Sequence, residues 1–340
     1  MIRYYQSIQT LIVALHMWLG ASIVSEANNG FKWETKEFNG LDYVTLRSIK
    51  EFYYFDDIRY GSVITLEKTD VKMEVRPGSQ QCRMNGVLFV LSHKVIDQNG
   101  RYFLSKTDLI KLVNPVLRPT HIHSARVFGI VVIDAGHGGK DPGSLGPYDN
   151  EKVYTLKIAR LVRDILQSKG YRVVMTRDSD VFVSLANRVN IANKYKNAIF
   201  ISIHFNSSDN AGASGIETFT ISPVGVPHMG RGVRAGDFQT VPGNVMDSAS
   251  IMLATAVHSR SLLYLSNDRS RNNFRMNDRG IKRARFDVLT GIKIPAILFE
   301  GGFLSNRVEA RKVHTPAYQQ ALADAIARAV DVYRTSITRR

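Results

Sequence analysis

The sequence predicts an α/β fold, a mostly parallel sheet flanked by helices on both faces, preceded by a small α+β domain. Three observations carry this. Apolar runs at 131–133, 198–203 and 295–299, the first made wholly of β-branched residues, read as strands buried on both faces. Segments of helical periodicity alternate with them, as a mostly parallel sheet requires. Residues 28–117, by contrast, offer only short, polar strands punctuated by tight-turn pairs.

In chain order, residues 11–24 (LIVALHMWLGASIV) form the first apolar stretch. It is short for a membrane span and is interrupted by His16 and Trp18. It fits the apolar part of a secretory signal, with Ser25-Glu26-Ala27 as the small-residue cleavage pattern. Residues 1–27 are therefore expected to be a signal peptide and the protein to be exported, to the periplasm or cell envelope. No stable membrane span is expected once the signal is cleaved. The weakly basic start leaves an uncleaved anchor as the alternative. Residues 28–117 follow as the small domain. In it, a strand at 42–46 and helix at 48–54 are echoed by a strand at 101–105 and helix at 108–113, a faint repeat of paired βα units. Asn85-Gly86 and Asn99-Gly100 supply hairpin turns. Pro115 and Pro119 open a linker, 118–127, that carries His121 and His123; an exposed pair of this kind rarely binds metal.

The main domain spans 128–335 and a basic tail 336–340. Within it, 171–175 reads as a strand, 184–195 as a helix, and 216–221 as a strand. Asp247 caps a helix to residue 263; 286–289 and 295–299 read as strands; 318–333 reads as a helix. Arg177 and Arg188 are expected to anchor loops. The Gly- and Pro-rich stretch 222–244 is long for a connection, and reads as a substrate-contacting or gating loop or as a surface excursion.

The strand ends are where the chemistry gathers. In open α/β sheets ligands sit beyond the carboxyl ends of strands. The run VVIDAGHGGKDPG delivers His137 there, AIFISIH delivers His204, and PAILFE delivers Glu300. Glu151 opens an amphipathic helix behind Asn150, a residue suited to the N-cap, with Gly170 as its stop. Two histidines and two glutamates match a catalytic zinc site, in which three ligands leave a position for water and a further carboxylate takes the proton. The single cysteine, Cys82, excludes a thiolate-rich site and any intramolecular disulfide.

Seven segments in order, VVIDAGHGGKDPGSLG, the helix opening at Glu151, YRVVMTRDSDVFVSLANRVNIAN, AIFISIHFNSS, GIETFTIS, DRGIKRARFDVL and PAILFEGGFLSN, resemble the zinc-dependent N-acetylmuramoyl-L-alanine amidases of the amidase type 3 family. The resemblance covers roughly residues 128 to 333. It implies one Zn2+ held by His137, Glu151 and His204, with Glu300 as the catalytic glutamate. It implies peptidoglycan as substrate, cut between the lactyl group of N-acetylmuramic acid and L-alanine. Asp134 is expected to orient a ligand histidine from behind, and Arg279 and Asn206 to contact substrate. The segment NGVLFVLSHKVIDQNGRYFLSKTDLIKLV is similar to the copper amine oxidase N-terminal-like domain, which implies a binding or spacer role and no copper.

The formal charge of +15 suits anionic envelope polymers as further partners, or simply solubility. The basic residues are scattered and no nucleic-acid motif occurs, so nucleic acid is not expected. A zinc peptidase acting within the stem peptide and a non-catalytic wall-binding protein are the competing readings.

Overall fold

The computed structural model describes residues 31–122, 124–266 and 274–338. The expected signal segment, His123 and the last two residues of the tail lie outside them. The chain divides into two compact units after Pro119, inside the segment expected as linker.

The first unit contains β1 (Thr35–Phe38), β2 (Leu41–Thr45), α1 (Leu46–Phe52), β3 (Asp57–Arg59), β4 (Ile64–Lys68), β5 (Val71–Val75), β6 (Gln81–Met84), β7 (Val87–Val90), β8 (Ile96–Gln98) and β9 (Arg101–Ser105). One sheet has the order β1-β2-β9-β8; the meander β7-β6-β5-β4-β3 is antiparallel throughout. Asn85-Gly86 and Asn99-Gly100 both have positive φ at each residue, the geometry that matches a two-residue hairpin to strand twist. The faint repeat is visible as structure. Thr45 ends β2 and accepts from Ser48 N; Ser105 ends β9 and accepts from Asp108 N. Each strand thus hands its chain to a helix through a hydroxyl cap, and the two strands pair antiparallel.

The second unit contains β10 (Ile130–Ala135), α2 (Glu151–Ser168), β11 (Arg172–Met175), α3 (Leu185–Asn193), β12 (Ala198–Asn206), β13 (Ile216–Ile221), α4 (Asp247–Leu265), β14 (Asp278–Ala284), α5 (Asp287–Gly291), β15 (Ala296–Phe303), α6 (Arg307–His314) and α7 (Pro316–Thr338). Its strands lie in the order β11-β10-β12-β15-β13-β14. The first four run parallel; β13 pairs antiparallel with β15 and parallel with β14. The starts of β13 and β14 therefore lie at the same sheet edge as the ends of β10, β12 and β15.

Both faces are covered. Val132, Phe200, Phe219 and Leu298 pack with Ala192 of α3 and Val288 and Leu289 of α5. Residues of opposite parity, such as Val131, Ile133, Ile201 and Ile297, are buried on the other face, where α7 packs against both α2 and α4. Tyr154, Ile158, Val162 and Leu166 give α2 its buried stripe. Among the described residues no helix is long and apolar enough to cross a membrane.

Two expectations are corrected. Residues 286–289 are not a strand: Asp287–Gly291 is a short helix and the strand is Asp278–Ala284. DRGIKRA hides its strand character because its charges are neutralised by distant partners, Lys282 on Glu217 and Arg283 on Asp247. Asn150 stands at the N-cap of α2 but makes no side-chain cap bond. The first-turn N–H groups of Glu151 and Lys152 instead donate to the carbonyls of Ser144 and Pro142. That ties the loop after His137 to the helix carrying Glu151.

Candidate active site

Gly136 and Gly143 let the loop after β10 close on its neighbours. A Cβ on Gly136 would stand 2.4 Å from the His204 ring, and one on Gly143 2.6 Å from both Glu151 Oε2 and His137 Cδ2. His137 itself has φ +60, an unusual backbone for a non-glycine residue. Two buried guanidinium groups hold this geometry. Arg188 donates to Ala135 O and His137 O, and Arg177 to Ala135 O and Gly136 O. Both arginines anchor loops, as expected from sequence.

The structure brings His137, Glu151 and His204 together: one ligand atom from each lies within 4.8 Å of the others. Glu151 is buried and bridges both rings. Its Oε2 lies 3.0 Å from His137 Nε2 and accepts from Ser144 N; its Oε1 lies 2.9 Å from His204 Nδ1 and accepts from Phe205 N. Burial alone would raise the Glu151 pKa, but the hydrogen bonds and charges of the two histidines take it far below the usual carboxylate range. Burial likewise opposes a charge on His137, yet Glu151 and Asp141 together raise its pKa above the ordinary value.

Glu300 completes the group. It is the register partner of His204 across β12 and β15, and of Glu217 across β15 and β13. Directly paired residues share a face, so His204, Glu300 and Glu217 form one row. Burial, then the charges of Glu151 and Glu217, pushes the Glu300 carboxyl well above its usual value. Its Oε2 is buried and has no hydrogen-bond partner among the described residues.

Asp134 does not take the role expected of it. Its oxygens accept from Thr176, Ser202 and Arg188. The acceptor at His137 Nδ1 is Asp141 Oδ2, 2.9 Å away and itself steadied by Gly143 N. Sequence reasoning misses Asp141, although a carboxylate four residues after a candidate ligand, across a Gly-Gly turn, was there to be read. Asn206 donates to Glu217 Oε1, and its own Oδ1 accepts from Ser207 N. Arg279 Nε donates to Glu217 Oε2 at 3.0 Å. Glu217 is the second residue that sequence reasoning misses. The signal was a lone carboxylate inside a buried strand, the same signal that marks Glu300.

The 222–246 stretch is built around buried Asp237. Arg231 grips its carboxylate with two bonds of 2.7 Å, Arg234 N donates at 2.8 Å, and Arg285 lies 3.1 Å away. His228 accepts from Arg285 N, and His258 is buried between Thr218 and Asp278.

The family model for N-acetylmuramoyl-L-alanine amidase matches residues 131–332, which include the whole of this constellation. The chain belongs to that family. Its function is accordingly that of a peptidoglycan amidase. Among relatives of this amidase, the sporulation-specific N-acetylmuramoyl-L-alanine amidase of Bacillus subtilis strain 168 is 33% identical over 195 residues, covering 57% of this chain and 63% of that one. N-acetylmuramoyl-L-alanine amidase AmiA of Escherichia coli K12 is 30% identical over 247 residues, covering 68% and 84%. The catalytic domain of CwlV, an N-acetylmuramoyl-L-alanine amidase from Bacillus (Paenibacillus) polymyxa var. colistinus, is a solved structure with 31% identity, 61% and 98% coverage, and a TM-score of 0.49.

Proposed function

We propose that this amidase is zinc-dependent, with the metal held by His137, Glu151 and His204 and the proton transfers made by Glu300. One observation carries the proposal. Three nitrogen and oxygen donors converge beyond the strand ends, and one of them, His204, is the register partner of Glu300, a buried carboxyl whose Oε2 has no hydrogen-bond partner among the described residues. The donor set fits zinc. Zinc sites with three such protein ligands, at about 2.0–2.2 Å, keep a position for one further ligand, and the donors already lie within 4.8 Å of one another. The two glycines leave the space those rings and the carboxylate occupy.

When bound, zinc supplies Lewis acidity towards water and an amide carbonyl. The chain's own groups do the rest. Asp141 holds His137 Nδ1, so that Nε2 points at the shared centre. Glu151, kept ionised by its neighbours, contributes charge. Glu300 stands beside His204 in the sheet, where as the carboxylate it accepts a proton from the attacking water and delivers it to the departing alanine nitrogen. The bond cut is the amide between the muramic lactyl carbonyl and L-alanine.

The rest of the reading concerns placement. Residues 1–27 act as the export signal, residues 28–117 bind or space the enzyme at the wall, and the positive charge favours anionic envelope polymers. The Asp237-centred stretch borders the cleft. The test is digestion of purified peptidoglycan with and without a chelator, followed by identification of new end groups. A free L-alanine amine that appears only with metal is the expected product. A new amine within the stem peptide would instead make the protein a peptidase.

A further inference from the structure

Glu217 is the register partner of Glu300 across β13 and β15, and the mechanism does not use it. It is buried, at the start of β13. It accepts from Asn206, Lys282 and Arg279, so two cations share one anion. Lys282 is the inner cation, with 10% of its side chain exposed; Arg279 is the outer one, at 35%. The guanidinium of Arg279 also lies over the Phe303 ring, 4.7 Å from its centre. Two contacts thus restrain this group: Nε is tied to Glu217 and the guanidinium carbon stands over Phe303. Its Nη atoms form the remaining edge of the fork. A fixed guanidinium edge can pair with both oxygens of a carboxylate. The strand starts of β13 and β14 share the sheet edge with Glu300.

We infer that Glu217 is a positioning residue that locks Arg279 as a carboxylate reader. Arg279 selects substrates with a free carboxylate on the peptide side of the scissile amide over their amidated counterparts. The inference rests on the amidase reading and names what the site prefers.

Two substrates test it: a muramoyl dipeptide ending in a free carboxylate, and the same compound as its primary amide. The zinc-loaded full chain is assayed on both. The wild-type enzyme is expected to favour the carboxylate by about 10- to 100-fold in kcat/KM, the scale of a charge-assisted pair, with most of the difference in KM. Arg279→Lys keeps the charge and loses the fork; its preference should fall to about threefold or less. Glu217→Gln alone strands buried Lys282, so the diagnostic variant is E217Q/K282M. It leaves the net charge of the three residues unchanged and replaces the charge-assisted tether with at most a weaker neutral amide contact. Its preference should also fall, with a melting transition confirming the fold. A purely structural Glu217 would lower both substrates equally and leave the ratio intact. A wild-type ratio near one, or an unchanged ratio in R279K or E217Q/K282M, overturns the inference alone. Failure of the wild-type enzyme to cut either substrate overturns the amidase reading and takes the inference with it.

Discussion

Replacing Glu300 with glutamine separates chemistry from stability in opposite directions. The side chain keeps its size and position in the His204–Glu300–Glu217 row. It loses the only function assigned to it, which is accepting and returning a proton. General acid–base catalysis contributes about 10²- to 10⁴-fold, or roughly 3–5.5 kcal/mol at 1.36 kcal/mol per decade. The kcat of E300Q should fall by that factor with zinc content unchanged. Stability should rise. Folding raises the Glu300 pKa through burial and the charges of Glu151 and Glu217. Below the unfolded carboxylate pKa both states are protonated and nothing is lost. Above it the unfolded chain ionises while the folded one resists, so the wild-type fold loses stability as pH rises towards the folded value. Each unit of elevation costs about 1.4 kcal/mol. A kcal/mol shifts the melting temperature of a domain this size by about 2–4 °C. Metal-free E300Q should therefore melt above metal-free wild type at pH 7, and the gap should close near pH 4. Calorimetry with parallel turnover assays reads both effects. Activity within about tenfold of wild type would refute the proton-transfer role. An unchanged or lower melting temperature at pH 7 would refute the account of burial and charge.

The remaining predictions concern the supports of the site. Asp141→Asn loses the carboxylate that holds His137 Nδ1; zinc affinity should drop about 10- to 100-fold by competition with a chromophoric chelator. Undiminished affinity would mean Asp141 does not orient the ring. Asp237→Asn breaks the paired bonds from Arg231 and should open the 222–246 stretch to limited proteolysis while the rest of the unit stays resistant. The Asp237 pKa is pulled down to about 2, chiefly by its hydrogen bond to Arg231. This stabilisation is present above the unfolded aspartate pKa and fades as pH falls from about 4 to about 2. Wild-type cleavage in this stretch should rise over that window under an acid protease. Protection that did not depend on pH there would count against the Asp237 pin.

The strands that carry His137, His204 and Glu300 are readable from sequence because burial on both faces demands unbroken apolar runs. A polar residue at the end of such a run announces itself. Helix α2 is readable because one face alone is apolar, and Glu151 follows from where that pattern starts. The β14 strand is not readable this way. Its charges meet Glu217 and Asp247, partners more than thirty residues away that no local window contains. The same distance hides Asp134, whose partners Thr176, Arg188 and Ser202 come from separate segments.

Sequence alone determined which residues could do the chemistry and on which strand ends they stand, because hydrophobic burial writes a periodic pattern into neighbouring positions. Only the tertiary structure decided their pairing: that Asp141 rather than Asp134 backs His137, that Glu151 bridges both rings, and that Glu217 completes the row beside Glu300. Hydrogen bonds and ion pairs depend on angstrom-scale distance between residues far apart in the chain, and that distance exists only once the sheet has set its register.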